Sequence, residues 1–261
     1  MKSFDRGDRW LYCPPSMTSI LIYQDYVHNN GALYKALCRV FEPVQIGFAD
    51  AEDVKNGALN DRLRAFIMPG GASRYVSDKL NGPGNAAIKE YVTSGGIYIG
   101  ICAGAYYGCR QIEWRPGFDQ SFSVDSELGF FPGTAKGPIP QFISNNNAHH
   151  MAAVTDLATD AGHVTKTFYW AGPVFESEEQ DQYQVLARYA ALSGQPPAIV
   201  SGSFGKGRYL LSSSHIEIDS AQLDLMSFDV PDNRYADIAE LSNTDGVTTD
   251  YFTTLLNRFI G

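Results

Sequence analysis

Short, mainly apolar runs separated by polar stretches fill the first hundred residues of the chain. They lie at residues 19–23, 44–48, 64–68 and 97–101. Runs of this length are typical of parallel strands that are buried on both faces. Between them, apolar positions recur at helical spacing over residues 32–40 and 84–94. This alternation predicts an α/β fold with a doubly wound, mostly parallel sheet, whose ligand sites lie beyond the carboxyl ends of its strands.

The pattern changes after residue 111, where helical spacing gives way to short alternating pieces. Gly and Pro break up residues 112–141, which is typical of β-hairpins inserted into or appended to a sheet. Further strands are predicted at residues 168–170, 184–189, 198–203 and 208–211, with a turn at 205–207 between the last two. An apolar stripe at Phe252, Leu255, Leu256 and Phe259 predicts a C-terminal helix over residues 248–260.

The chain is long enough for one large α/β domain or two small ones, and it shows no internal repeat and no linker that would separate two domains. It contains 261 residues, of which 44% are hydrophobic, enough for a sizeable core. Residues 1–17 interleave charges with aromatic residues and prolines, and we interpret them as a loose leader rather than a signal peptide. We expect residues 18–261 to form a single domain, with the acidic segment 219–246 and the C-terminal helix packed on it.

Net charge and cysteine content narrow the classes of partner. The formal charge is −9 and there is no basic run, which argues against a nucleic-acid partner. No apolar run approaches the ~20 residues of a membrane-spanning helix, so no membrane partner is expected. The four cysteines have neither a CxxC pattern nor the density of a disulfide scaffold, which indicates reduced thiols in the cytoplasm. No metal and no cofactor are expected.

A cysteine between two glycines is the strongest candidate for chemistry. Residues 100–104 read GICAG and follow a predicted strand. The pattern G-x-C-x-G is the thiol form of a nucleophile elbow, in which a strand turns sharply into a helix and exposes the nucleophile. The start of the helix at Ala103 would favour the thiolate of Cys102. The alternative is a buried core cysteine, which is our interpretation of Cys38 and Cys109.

A nucleophilic cysteine needs a base and a group that orients the base. His215 follows an apolar strand, and Glu217 lies two residues later. Side chains at i and i+2 of an extended segment share a face, so Glu217 can hold the imidazole for Cys102. A solvated loop histidine is the alternative. We interpret His149 and His150 as loop residues, with substrate contact as the alternative, and turn geometry explains His28.

Two backbone N–H groups can receive a developing oxyanion. Gly71 ends the third predicted strand, beside the fourth, and Ala103 follows the cysteine. A tight turn alone would also select glycine at residue 71. The residues that we assign to a substrate pocket are Gly70, Tyr75, Tyr106 and Tyr107, although the prior expectation for aromatic residues of this kind is a place in the core.

Several motifs together resemble the class I glutamine amidotransferase-like superfamily. They are PGG after a strand, GICAG at the elbow and HIE near the end of the sheet. More narrowly, the chain resembles the family named for the N-terminal domain of eukaryotic biotin-protein ligase over residues 18–220. The stretches that carry this likeness are PGGASRY, YVTSGGIYIGICAGAYYG, YWAGPVF and VSGSFGKGRYLLSSSHIE.

The resemblance implies a flavodoxin-like sheet carrying a triad of Cys102, His215 and Glu217. It does not transfer a substrate. Amidotransferases that hydrolyse glutamine usually have Gln two residues after the second glycine of the elbow, where this chain has Tyr106. The chain also lacks the GRGR-type biotinyl-adenylate loop of a ligase catalytic domain, so biotin transfer by this chain alone is not expected.

These observations lead to a first hypothesis and two alternatives. The first is a cysteine-dependent amidase or amidotransferase-like hydrolase that takes a small amide or acyl substrate through a thioester. A synthase or ligase partner would receive the ammonia in one version of this hypothesis. The alternatives are a catalytically idle ligand-binding or regulatory module that keeps the elbow for its architecture, and a redox protein that uses Cys102 as a sensor.

Overall fold

A computed structural model describes most of the chain. The described residues are 17–25, 27, 30–71, 73–115, 121–142, 152–219 and 247–261, apart from the side chains of residues 73–75 and 247–249. Most of the predicted leader, His28, His149, His150 and almost all of the acidic segment 219–246 lie outside them. In the described part, no helix has the length and hydropathy required to cross a bilayer.

A nine-stranded sheet forms the centre of the molecule, and its first half is parallel. Four strands follow the predicted apolar runs: β1 (Ile20–Tyr23), β2 (Ile46–Ala49), β3 (Ala65–Met68) and β4 (Ile97–Ile101). The strand β13 (Gly207–Ser212) pairs parallel with β4 and completes the order β2-β1-β3-β4-β13. The carboxyl ends of these five strands share one edge, which is where the predicted site residues fall.

The second half of the same sheet is antiparallel. Its strands are β8 (Ala152–Thr159), β9 (Val164–Trp170), β11 (Gln184–Tyr189) and β12 (Pro197–Phe204). They continue from β13 in the order β12-β11-β8-β9. The predicted bounds of β11 are identical to those observed, and the turn between β12 and β13 uses Gly205 at φ +60°. The α/β fold class is therefore confirmed, as a mixed sheet with a parallel half.

Helices cover both faces of the parallel half, as predicted for a doubly wound sheet. One face carries α1 (Asn30–Leu37) and the C-terminal helix α6 (Val247–Phe259). The other face carries the remaining helices, which are α2 (Ala51–Lys55), α3 (Ser73–Leu80), α4 (Pro83–Thr93) and α5 (Ala103–Tyr107). Alternate strand residues feed the two cores, with Ile22 on the α1 side and Tyr23 on the other, because successive side chains of a strand point to opposite faces.

The predicted hairpin region forms a separate sheet of four strands. Its strands are β5 (Cys109–Trp114), β6 (Phe122–Asp125), β7 (Phe131–Gly137) and β10 (Val174–Glu176), in the order β10-β7-β5-β6. Phe131 and Phe175 pack into the core that lies on the α2–α5 face of the main sheet. The small sheet therefore stands beside α5 and forms a wall next to the end of β4.

The antiparallel half curls back towards the parallel half. In the strand order, β9 lies four places from β13. The backbone N–H of His215, just after β13, nevertheless donates to the carbonyl oxygen of Phe168 in β9 at 2.8 Å. The edge strand β9 is thus brought to the carboxyl end of the parallel strands, where β4 delivers Cys102.

Candidate active site

Cys102 occupies a strained turn between β4 and α5. Its φ of +51° and ψ of −104° lie outside the regions that side-chain-bearing residues ordinarily adopt. The backbone N–H of Cys102 donates to the carbonyl oxygen of Ser212 at 2.8 Å, which fixes the turn to the end of β13. The geometry is that of a strand-to-helix elbow, as the sequence predicts.

The two flanking glycines are required by close backbone packing. A Cβ atom on Gly100 would lie 2.3 Å from the carbonyl oxygen of Gly104, and one on Gly104 would lie 2.0 Å from that of Met68. Both contacts are with backbone atoms, which cannot move away as a flexible side chain can. The glycines thus allow α5 to begin directly against the end of β3, close to Gly70 and Gly71.

His215 and Glu217 come together with Cys102 at this edge of the sheet. Nδ1 of His215 donates to Oε1 of Glu217 at 2.7 Å, and both side chains are almost completely buried. On its other side the imidazole lies beside Cys102, because Nε2 and the Cβ of Cys102 are 3.3 and 3.4 Å from the position that a Cβ on Gly70 would take. The ring packs near Phe168 and Trp170, at centroid distances of 6.1 and 6.3 Å.

Gly70 makes room for this arrangement. A Cβ atom at this position would lie 2.6 Å from Cε1 of His215, 3.3 Å from Nε2 and 3.4 Å from the Cβ of Cys102. The imidazole and the cysteine therefore both lie against the α-carbon of residue 70. The sequence analysis assigned Gly70 to the substrate pocket. In the structure, the absence of a side chain at Gly70 also leaves the space that the imidazole ring of His215 occupies.

The surroundings of His215 favour its protonated form. Burial lowers the pKa of the imidazole, but the Glu217 carboxylate and then the Cys102 sulfur outweigh burial and raise the pKa from 6.5 to about 10. The second oxygen of Glu217, Oε2, is buried without a hydrogen-bond partner in the described part of the chain. A positive charge on the imidazole therefore offsets the negative charge of the Glu217 carboxylate, which has little other stabilisation.

The Cys102 thiol has a second contact, with the backbone. Sγ donates to the carbonyl oxygen of Trp170 at 3.1 Å. A thiolate would be repelled by that oxygen, so the contact belongs to the protonated thiol. The pair has two forms with the same number of protons. In one form a thiol faces a neutral imidazole, and in the other a thiolate faces an imidazolium, so the two differ only in whether one proton is on Sγ or on His215. A proton transfer between Sγ and the imidazole would convert one form into the other.

The backbone N–H groups at the start of α5 lie close to the sulfur of Cys102. Along the turn that follows Cys102, the first backbone N–H that donates a hydrogen bond is that of Ala105, and its acceptor is the carbonyl oxygen of Cys102 at 3.0 Å. The N–H of Ala103 comes earlier in the chain and has no acceptor within the helix. Because α5 has only five residues, the predicted support for a thiolate comes from such local N–H groups rather than from a long helix dipole.

A cavity of about 870 Å³ opens over these groups. Cys102, His215, Gly71 and Ala103 line one region of it, together with Gly70. The predicted pocket residues Tyr106 and Tyr107 also line it, whereas the side chain of Tyr75 lies outside the described residues. Both tyrosines are buried, so they contribute ring surface and fixed hydroxyls rather than mobile contacts.

Several residues of this cavity were missed by the sequence analysis. Trp170 contributes a carbonyl to the thiol and a ring to the wall, and Asn85 and Glu127 line the cavity together with Trp114 and Phe122 of the small sheet. A backbone carbonyl leaves no mark in the sequence. The YWAGPVF stretch was the available signal for Trp170, whereas no local pattern distinguishes Glu127 from other exposed carboxylates.

The other candidate residues stay away from the site. Cys109 opens β5 rather than lying on the helix of Cys102, and it is fully buried, as its interpretation as a packing residue predicts. Cys38 is partly buried against the core beside α1, and His163 is exposed between β8 and β9. In the described residues, no three His, Cys, Asp or Glu side chains are placed to hold a metal ion.

Comparison with proteins of known structure bears on the fold. The chain is similar to a glutamine amidotransferase crystal structure, with a TM-score of 0.55 and 21% identity, over 76% of this chain and 90% of that one. It is also similar to the structure of PurLQS from Thermotoga maritima, with a TM-score of 0.58 and 16% identity, over 93% and 99% of the two chains. At these identities the likeness shows that the fold is that of class I glutamine amidotransferases.

Sequence comparison gives the family. An uncharacterized protein of Chlamydia muridarum is 35% identical over 159 residues, which are 60% of this chain and 61% of that protein. The biotin–protein ligase of Schizosaccharomyces pombe is 28% identical over 216 residues, which are 77% of this chain but only 34% of the ligase. The family described as "Biotin-protein ligase, N terminal" matches residues 18–260. Because this match spans nearly the whole chain, the protein belongs to the biotin-protein ligase N-terminal family.

Proposed function

We propose that the protein is a cysteine-dependent amidase or amidotransferase-like hydrolase. The observation that carries the proposal is the buried row of Cys102, His215 and Glu217, in which Nδ1 of the imidazole donates to Glu217 and Nε2 lies beside Cys102 in the space left by Gly70. This row opens on a cavity large enough for a small organic substrate. In this proposal Cys102 is the nucleophile, His215 moves the proton and Glu217 orients and charges the ring.

The reaction proceeds through a thioester. The Cys102 thiolate attacks the carbonyl carbon of an amide, and the carbonyl oxygen becomes an oxyanion that the N–H groups of Gly71 and Ala103 receive. The imidazolium of His215 gives its proton to the leaving amine, and the carbon–nitrogen bond breaks. Water then attacks the thioester, His215 takes a proton from that water, and the carboxylic acid leaves as the thiol is restored.

The leaving amine or ammonia has two possible fates in this proposal. It diffuses away, or a synthase or ligase partner consumes it. The second fate is relevant because the aligned stretch is 34% of the Schizosaccharomyces pombe ligase, in which it forms part of a longer protein. Three described cysteines are free thiols, which suits a reducing compartment such as the cytoplasm.

Trapping the acyl-enzyme tests the proposal. A panel of aryl amides and thioesters is mixed with wild type, with Cys102→Ser and with Cys38→Ser as a control for a thiol outside the site. Intact mass measured within the first turnover should show an acyl adduct on wild type and Cys38→Ser and none on Cys102→Ser. Turnover that survives in Cys102→Ser would refute the proposal.

One observation favours a second candidate, a catalytically idle binding or regulatory module. The thiol donates to the Trp170 carbonyl, and the hydroxyl of Tyr106 donates to the neighbouring carbonyl of Ala171 at 2.9 Å. Both side chains are thus tied to the backbone of residues 170 and 171, which suits a site that is kept for its architecture. This candidate predicts that ligands bind the cavity equally well in wild type and Cys102→Ser and that neither protein turns over any member of the panel.

A further inference from the structure

The cavity contains a second built region beside α4, formed around Glu127. Its Oε2 atom accepts a hydrogen bond from Nδ2 of Asn85 at 2.7 Å and another from the backbone N–H of Gly82 at 2.9 Å. Asn85 is only 2% exposed, and its Oδ1 accepts from the hydroxyl of Tyr107 at 2.6 Å. A buried side chain thus holds one oxygen of the carboxylate in place, while the carboxylate itself stays accessible from the cavity.

Glu127 remains ionised in this position. The hydrogen bond from Asn85 and then that from Gly82 lower the pKa of its carboxyl, and Lys89 lowers it slightly further. Nζ of Lys89 donates to the backbone carbonyl oxygen of Glu127 at 2.9 Å and does not line the cavity. The negative charge of the carboxylate is therefore preorganised by neutral donors and available to a ligand.

Carboxylates outnumber cations on the cavity wall. Asp78, Asp125 and Glu127 line it, and among the described lining residues there is no lysine or arginine, so the imidazolium of His215 beside Cys102 is the cationic side chain there. The α-carboxylate of a free amino acid such as glutamine would meet like charges at the three carboxylates and a cationic side chain only beside the reacting thiol. An ammonium or guanidinium group would meet the opposite charge, and the nearby ring faces also attract cations.

Part of the cavity wall that Glu127 and Cys102 share is apolar and aromatic. Trp114 packs against Tyr106 and stacks with Phe122, at centroid distances of 5.6 and 6.5 Å. Phe122 and Val124 on β6 are 50% and 47% exposed and line the cavity. Large apolar side chains that are exposed side by side at the mouth of a cavity are typical of a surface that contacts a ligand.

From this geometry we infer that the site takes acyl compounds with an apolar body and a cationic group at the end remote from the reacting carbonyl, and that Glu127 is the residue that selects the cation. The inference rests on the proposed function for the reaction at Cys102. It goes beyond that function by naming the class of substrate and by disfavouring free glutamine.

Chloroacetamide probes test the inference without a known substrate. Three N-benzyl chloroacetamides are compared, which carry a para-aminomethyl, a para-hydroxymethyl or a para-carboxylate group, together with phenethyl and phenylpropyl homologues. The alkylation rate at Cys102 is followed by peptide mass in low salt. We expect the ammonium probe to react about three- to five-fold faster than the hydroxymethyl probe, as for an accessible ion pair, and the carboxylate probe to be slowest.

Matched variants assign the preference to Glu127. Glu127→Gln keeps the hydrogen-bond acceptor for Asn85 and removes the charge, so the preference should fall to about one. Asp125→Asn should reduce it in part, and Glu178→Gln, an exposed carboxylate outside the cavity, should leave it intact. Equal rates for the three wild-type probes, or a preference that survives in Glu127→Gln, would overturn the inference.

A binding measurement separates the two proposals. If Cys102 reacts with none of the probes, the proposed reaction fails. The unreactive acetamide analogues are then titrated into wild type and Glu127→Gln by calorimetry. Tighter binding of the ammonium analogue to wild type alone would support the cationic class, and equal binding of all three would refute it.

Discussion

Two buried thiols seven residues apart have opposite surroundings. Cys102 sits at the edge of the main sheet, in a turn of positive φ, with an imidazole on one side and a cavity in front. Cys109 begins β5 in the core between the two sheets, where Sγ donates to the carbonyl oxygen of Ala105 at 3.2 Å. Burial raises the pKa of the Cys109 thiol well above its usual value, because no charge nearby compensates for the loss of water.

Burial alone therefore does not decide the chemistry of a cysteine in this protein. Both side chains are shielded, with Cys102 at 8% and Cys109 at 0% exposure. What distinguishes them is the pairing of Cys102 with His215, whose charge Glu217 supports, and an open space from which a reagent can approach. A thiol that lacks both a cationic partner and access behaves as a small apolar side chain.

The largest difference between Cys102 and Cys109 is expected in their rates of alkylation in the folded protein. With iodoacetamide at neutral pH, Cys102 should react on the order of 10³-fold faster than Cys109, because only Cys102 has both a partner and access. Peptide mass after a timed quench measures the two rates. In 8 M urea as the unfolding control, the ratio should collapse to about one. A ratio near one in the folded protein would contradict the contrast between the two thiols.

Gly70→Ala should remove most of the difference in alkylation rate between Cys102 and Cys109. The new Cβ would lie 2.6 Å from Cε1 of His215, and the ring cannot retreat without losing its bond to Glu217. A displacement of about 1 Å in a reacting group costs about 10²-fold in rate, so we expect a loss of that size in alkylation at Cys102. Gly31→Ala, where a Cβ meets nothing within 4 Å, is the matched control and should leave the rate unchanged.

Glu217→Gln should change the pH dependence of the same reaction. The carboxylate is the largest influence that raises the pKa of His215, so without it the ring loses its proton at a lower pH. In wild type the imidazolium persists until the pH approaches about 10, and the alkylation rate should vary little between pH 7 and 9. The variant should be about tenfold slower at pH 7 and should recover as the pH rises. Parallel profiles for the two proteins would contradict this role of Glu217.

Cys109→Ala should have the smallest effect and should leave alkylation at Cys102 unchanged. Removing a buried sulfur from a packed core lowers the free energy of unfolding by about 1 kcal/mol. Urea denaturation monitored by circular dichroism measures this change. A loss of Cys102 reactivity in this variant would mean that the core on the α2–α5 face of the main sheet supports the site more directly than its contacts indicate.

The sequence predicts best where local patterns decide the structure. The apolar runs give β1, β3, β4 and β11 to within a residue, because each strand is buried on both faces or bounded by turn residues. The elbow at Cys102 has a local signal as well, because Gly100 and Gly104 flank the cysteine at two residues on either side, although the contact that requires Gly104 is with Met68 of β3. The side chains of His215 and Glu217 meet, although through a turn at residues 216–217 and not through the extended segment from which their contact was predicted.

Features that depend on distant contacts were not predictable in the same way. The hydrogen bond from Cys102 to the Trp170 carbonyl joins residues 68 positions apart and uses a backbone atom. The end of α5 at Tyr107, after which Cys109 begins β5, has no clear local signal, because small residues and tyrosines do not mark a helix end. Glu127 reaches the cavity only because the small sheet stands beside α4, an arrangement that no local period encodes.

The curl of the main sheet joins the surroundings of the thiol to the last strand in the order. The turn at Cys102 is fixed by its parallel neighbours, whereas the backbone of His215 is held by β9. A chain in which β9 has not docked therefore lacks the carbonyl oxygen that accepts a hydrogen bond from the N–H of His215. The imidazole is anchored at this edge only once the two ends of the sheet have met.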